Sequence, residues 1–161
     1  MKKVLLALAL TMGLISSAFA VDLGGYWLWE KGTNGGTIQA GGLSLGDKLG
    51  KVDPSLDKVG VQATYDRSTS GGLNTNRYTA TASYDVFKLG PVTTNVRAGF
   101  AYLDPQSTKL SNGGAGLIGF GFAYPVTEKV SLVADYAYQK GNNMTKEYNG
   151  NIITTGAKYS F

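Results

Sequence analysis

The sequence closes on Asn151-Ile152-Ile153-Thr154-Thr155-Gly156-Ala157-Lys158-Tyr159-Ser160-Phe161, and this stretch decides the fold class. Ile153, Thr155, Ala157, Tyr159 and Phe161 fall on one face of an extended segment. Ile152, Thr154, Gly156, Lys158 and Ser160 fall on the other. Period two marks a strand whose two faces meet different surroundings.

The same alternation recurs upstream. In Val130–Lys140, Leu132, Ala134, Tyr136 and Tyr138 oppose Ser131, Val133, Asp135, Ala137 and Gln139. In Leu117–Tyr124, Ile118, Phe120, Phe122 and Tyr124 oppose Gly119, Gly121 and Ala123, small residues that leave room for long side chains across the interior. Val92–Tyr102, Arg77–Val86 and Val59–Arg67 repeat the pattern. Leu23–Glu30 and Thr37–Gly46 are less regular. In the second, the apolar positions shift from Ile38 and Ala40 to Leu43 and Leu45, which predicts a bulge at Gly41-Gly42. The total is eight strands of about 8–12 residues, close to the length of a tilted bilayer crossing.

The connections alternate. Leu89-Gly90-Pro91 and Pro125–Lys129 read as short turns. Lys31–Gly36, Ser68–Asn76, Asp104–Gly114 and Gly141–Gly150 read as loops, the last three long and polar. Asp47–Lys58, at a position where a short turn is due, reads as a solvated loop.

Composition narrows the function. The chain has 161 residues, 43% of them hydrophobic and 16% charged, with 23 Gly. It has no Cys and no His, so no disulfide, thiolate nucleophile, imidazole base or imidazole metal ligand. No cofactor and no metal is expected. The formal charge is +4. Residues 1–20 read as a secretory signal peptide: Lys2 and Lys3, an apolar run from Val4 to Ile15, then Ala18-Phe19-Ala20 before a cleavage point at Val21. Its removal takes two lysines, and the small remaining excess does not favour a nucleic-acid partner. Gly114-Ala115-Gly116-Leu117-Ile118-Gly119 matches a dinucleotide fingerprint only in letters, since no helix follows it.

An apolar face opposite a polar one fits two architectures: a soluble ligand-binding barrel with its apolar face inward, or a membrane barrel with that face outward. Three features favour the membrane barrel. The polar face carries few charges, balanced in sign. Aromatics sit near strand ends, among them Trp27, Trp29, Tyr78, Tyr102, Tyr124 and Tyr138, as in interfacial girdles. Long and short connections alternate. The expected fold is an all-β, eight-stranded antiparallel up-and-down transmembrane β-barrel spanning residues 21–161.

With the signal peptide, eight alternating strands and the final Lys158-Tyr159-Ser160-Phe161, the chain resembles the small eight-stranded outer-membrane barrels of Gram-negative bacteria. These are the opacity-protein and outer-membrane-protein-A transmembrane-domain type. The resemblance implies residence in the outer membrane and contact with lipid and lipopolysaccharide. It also implies delivery by periplasmic chaperones to the barrel-assembly machinery, which in that family reads a C-terminal aromatic. Tyr159 and Phe161 match that signal. Enzymes of this architecture use His in the families concerned, and this chain has none, so it is expected to be non-enzymatic.

An eight-stranded lumen is just wide enough for side chains. Asp85, Arg97, Asp135 and Lys158 point inward near the turn end and are expected to form one buried ionic cluster. Its two readings are a plug that holds the strands in register and a gated ion path. The outer loops name no ligand. Lys109, Lys140 and Lys146 are solvated loop charges or contacts for lipopolysaccharide phosphates. The expected function is a structural or surface-interaction role through the outer loops. A narrow channel for small solutes or ions is the alternative, and a soluble periplasmic ligand-binding barrel the third.

Overall fold

The computed structural model describes residues 22–32, 37–51, 53–70, 73–106, 112–142 and 148–161. The signal peptide therefore lies outside the described residues, as do Lys109 and Lys146. Eight strands follow one another: β1 Asp22–Gly32, β2 Thr37–Lys48, β3 Val59–Ser70, β4 Leu73–Leu89, β5 Val92–Pro105, β6 Gly113–Pro125, β7 Val130–Gly141 and β8 Gly150–Ser160. Each pairs antiparallel with its neighbours, and β8 pairs with β1, closing the barrel. Closure leaves no unpaired sheet edge.

The register gives the barrel its tilt. Following paired residues round from Asp22 through Gly46, Gln62, Thr81, Gly99, Leu117, Gln139 and Gly150 returns to β1 at Gly32, ten residues higher. With ordinary strand spacing, that stagger tilts the strands by about 40°.

Burial alternates residue by residue, and the apolar face points outward. Leu43, Val96, Phe100, Ile118, Phe120, Leu132, Tyr138 and Ile153 are all exposed on the outer wall. A soluble ligand-binding barrel requires the reverse. Packing between strands uses cross-strand pairs on that wall, such as Phe120 with Tyr136 (ring centroids 5.3 Å apart) and Tyr65 with Tyr78 (5.3 Å).

Three local expectations are corrected. First, β2 has no bulge at Gly41-Gly42; its pairing with β1 and β3 is continuous there. Ala40 instead faces inward into a small apolar cluster with Leu28 and Ile152, while Leu43 faces out. One unbroken strand thus carries apolar residues on both faces at different heights. The ladder shifts instead in β4, between Asp85 and Phe87. Second, Ser68–Asn76 is not a long loop. Pairing runs on to Ser70 opposite Leu73, because backbone pairing does not require apolar alternation. Third, Asp47–Lys58 is not a plain loop. Asp47 and Lys48 finish β2, and two short 3-10 turns follow, Leu49–Lys51 and Pro54–Leu56. Asp53 caps the second through the Ser55 backbone N–H (2.9 Å), which holds its carboxyl below the usual range.

Gly90 lies at φ +58°, the left-handed conformation its tight turn between β4 and β5 requires. We call that end of the barrel, which also holds Asp22 and Phe161, the turn end, and the opposite one the loop end.

Candidate functional site

The inward positions of the eight strands build the interior of the barrel. At the turn end, Lys48 Nζ lies 2.5 Å from Asp85 Oδ1, and Lys158 Nζ lies 2.8 Å from Asp22 Oδ2. Ser160 Oγ donates to the other Asp22 oxygen at 2.5 Å. Asp22, Lys48, Asp85 and Lys158, with Asp47, line a cavity of about 100 Å³.

The inner end of that cavity is a cross-lumen bridge. Arg97 Nη1 is 2.5 Å from Asp135 Oδ2, Arg97 Nη2 donates to Gln62 Oε1 at 3.0 Å, and Thr154 Oγ1 donates to Asp135 Oδ2 at 3.1 Å. The bridge ties β5, β3, β7 and β8 together. Gly121 makes room for it, because a Cβ there would run into the Asp135 carboxylate and the Asn95 amide. Beyond the bridge lies a second cavity of about 80 Å³, also lined by Gln62, Arg97 and Asp135.

A third layer closes the loop end. Arg77 on β4 is hydrogen-bonded to Glu30 on β1, and its Nε lies 3.6 Å from Asp66 Oδ1 on β3. Tyr26 donates its hydroxyl to Asp66 Oδ2 at 3.1 Å. Arg77 also reaches Gln139 Oε1 at 3.5 Å, and Gln139 donates its amide to the Tyr148 carbonyl at 2.8 Å. The Tyr148 side chain packs on Leu103 and Ala115, and its hydroxyl lies 3.3 Å from Thr75 Oγ1. Tyr148 thus caps the loop end. Among the described residues no group of three or more acidic, His or Cys side chains is placed to hold a metal.

Asp85, Arg97, Asp135 and Lys158 all line the cavity at the turn end. They do not form a self-contained cluster, however. Only Arg97 and Asp135 pair with each other; Asp85 takes Lys48, and Lys158 takes Asp22. The reason is height: in the register Arg97 opposes Ser83, and Asp85 opposes Asn95. Lys48 was hidden in a segment that reads as a solvated loop. The Glu30–Asp66–Arg77 layer is absent from the sequence reading, although inward parity marks all three residues. Glu30 and Arg77 sit beside stretches that read as loops, which concealed how far the sheet continues.

The six aromatics Trp27, Trp29, Tyr78, Tyr102, Tyr124 and Tyr138 all lie at positions of outward parity. Tyr124 sits beside the turn between β6 and β7, and the other five lie from mid-barrel to the loop end. Trp27 and Trp29 meet edge to face, with ring centroids 6.4 Å apart. Tyr159 and Phe161 do the same at the turn end, at 4.9 Å. Lys140 is exposed near the loop end of β7.

No protein-family model matches the sequence, and no curated protein is significantly similar to it. Solved structures do match in fold. The N-terminal β-barrel domain of Pseudomonas aeruginosa OprF is 20% identical with a TM-score of 0.61, covering 87% of this chain and 97% of that one. Neisserial surface protein A is 19% identical with a TM-score of 0.62, covering 88% and 96%. The outer-membrane enzyme PagL is 14% identical with a TM-score of 0.51, covering 86% and 98%. The shared architecture is the small eight-stranded outer-membrane barrel, and at these identities the likeness is one of fold.

Proposed function

We propose that the chain is an integral outer-membrane barrel whose lumen is a structural plug and whose biological contacts are made by its loop end. One observation carries this reading. The lumen is crossed at two levels by ion pairs, Arg97–Asp135 and Arg77–Glu30, and is capped by Tyr148. The spaces between these layers, about 80 and 100 Å³, have room for a few waters each and not for a larger solute. The architecture hosts enzymes as well. A non-enzymatic role is supported here by the lack of His and Cys and by the pairing of the inward carboxylates with cations.

A narrow channel is the second reading, favoured by one feature. The two cavities meet at the Arg97–Asp135 bridge, so this single pair divides a path that runs inward from the turn end. Arg97→Ala separates the two readings. A plug loses cross-links among four strands, and the barrel's stability in detergent should fall by roughly 1–3 kcal/mol without stable conductance in planar bilayers. A steady conductance that appears on opening the bridge would establish the channel instead.

The outward Tyr159–Phe161 pair supports the proposal that the barrel-assembly machinery reads this end of β8. Deleting Phe161 should reduce the heat-modifiable, assembled barrel in the outer-membrane fraction several-fold. Assembly at the normal level would remove that assignment.

A further inference from the structure

Among the ion pairs of the described residues inside the lumen, one cation faces two carboxylates. Lys48, Arg97 and Lys158 each face a single carboxylate: Asp85, Asp135 and Asp22. Arg77 faces two, Glu30 and Asp66. Here the side chains are almost wholly enclosed, with 3% of Arg77, 0% of Glu30 and 2% of Asp66 exposed. Glu30 Oε1 and Asp66 Oδ1 have no hydrogen-bond partner. Two neutral donors beside the cluster are turned to other acceptors: Tyr26 gives its one hydroxyl proton to Asp66 Oδ2, and Gln139 donates from its amide to the Tyr148 carbonyl. A surplus negative charge in such a place is costly unless a positive charge accompanies it. Asp66 lines the cavity of about 80 Å³, which has space for a water-sized guest.

We propose that the Glu30–Asp66–Arg77 cluster is a binding site for one small monovalent cation, supplied as a proton on a carboxylate or as an alkali ion seated in the cavity beside Asp66. Either source brings the missing unit of positive charge. The groups that face the site are Tyr26 and Glu30 from β1, Asp66 from β3, Arg77 from β4 and Gln139 from β7. Arg97 and Asp135 lie across the cavity, but that pair is neutral and contributes no net compensation. Occupancy also has a path to the surface. Arg77 holds Gln139, and Gln139 holds the Tyr148 backbone, so loss of the cation loosens the loop-end cap.

The test is equilibrium unfolding of the full chain in detergent micelles, from mildly acidic to mildly alkaline pH. It is run in sodium chloride and in N-methylglucamine chloride at equal ionic strength. If the guest is a proton, the folded state binds one more proton than the unfolded chain above the ordinary carboxylate range. Stability then falls as pH rises from the ordinary carboxylate range to the pH at which the folded state gives up that proton, and over this window the unfolding constant grows up to about tenfold per pH unit whichever salt is present. If the guest is an alkali ion, the unfolding constant at fixed pH drops several-fold when sodium replaces N-methylglucamine. Asp66→Asn removes the surplus charge, keeps an acceptor for Tyr26 and should abolish whichever dependence is seen. Glu30→Gln relieves the same surplus through the other carboxylate, and serves where the first variant does not assemble. The proposal is overturned if the unsubstituted chain shows neither dependence, or if a folded Asp66→Asn or Glu30→Gln chain keeps the full one.

Discussion

Arg77→Ala should destabilise the folded barrel by about 3–5 kcal/mol, the largest loss expected of any single lumen substitution. The arginine is 3% exposed and, among the described residues, is the only cation paired with Glu30 and Asp66, which are 0% and 2% exposed. Its removal strands two carboxylates in a space that water does not readily reach. The measurement is urea unfolding in lipid vesicles, followed by tryptophan fluorescence from Trp27 and Trp29. The effect should decline with exposure along the lumen. Arg97→Ala comes next, since that pair is 17% and 16% exposed. Lys158→Ala and Lys48→Ala come last, at about 1 kcal/mol or less, because their ammonium groups sit near the mouth and are screened by solvent. Equal losses at Arg77 and Lys48 would mean that the loop-end layer is hydrated, and that burial does not set its energetics.

Val96→Arg tests the other face. Val96 is on the outer wall, between Tyr84 on β4 and Phe120 on β6, and is 49% exposed. In a water-soluble barrel, a charge at so open a position would change stability by no more than about 0.5 kcal/mol. With lipid outside, an arginine near the middle of the apolar band costs about 2–4 kcal/mol. The two expectations differ enough for one unfolding series in vesicles to decide between them. A near-zero effect would contradict the membrane reading, whatever the fold.

The two faces were unequally legible in the sequence. Outward residues of β5 to β8 such as Val96, Phe100, Ile118, Phe120, Tyr136 and Ile153 could be assigned from period two alone, because lipid-facing chemistry is uniform along the middle of a strand. The inward face is not uniform. Apolar Leu28, Ala40 and Ile152 share it with Asp66 and Arg77, so at Thr37–Gly46 parity read as hydrophobicity pointed to a bulge that is not there. The polar strand ends were misread for a related reason. Ser68–Asn76 has no alternation to detect, yet its backbone continues the ladder to the Ser70–Leu73 pair.

By itself the sequence determined the class, the strand count, the chain order of the strands and which face meets lipid. These follow from local alternation and from the need of every strand in a membrane to find partners on both sides. It also identified Asp85, Arg97, Asp135 and Lys158 as inward charges. Only the tertiary structure decided who pairs with whom. Partners such as Glu30 with Arg77, across the lumen, or Lys158 with Asp22, across the β1–β8 seam, lie on strands far apart in sequence. Their heights depend on the ten-residue stagger with which the barrel closes. That stagger is a property of the closed sheet and leaves no mark in any single strand. This is why four inward charges could be found in the sequence while the surplus carboxylate beside Arg77 could not.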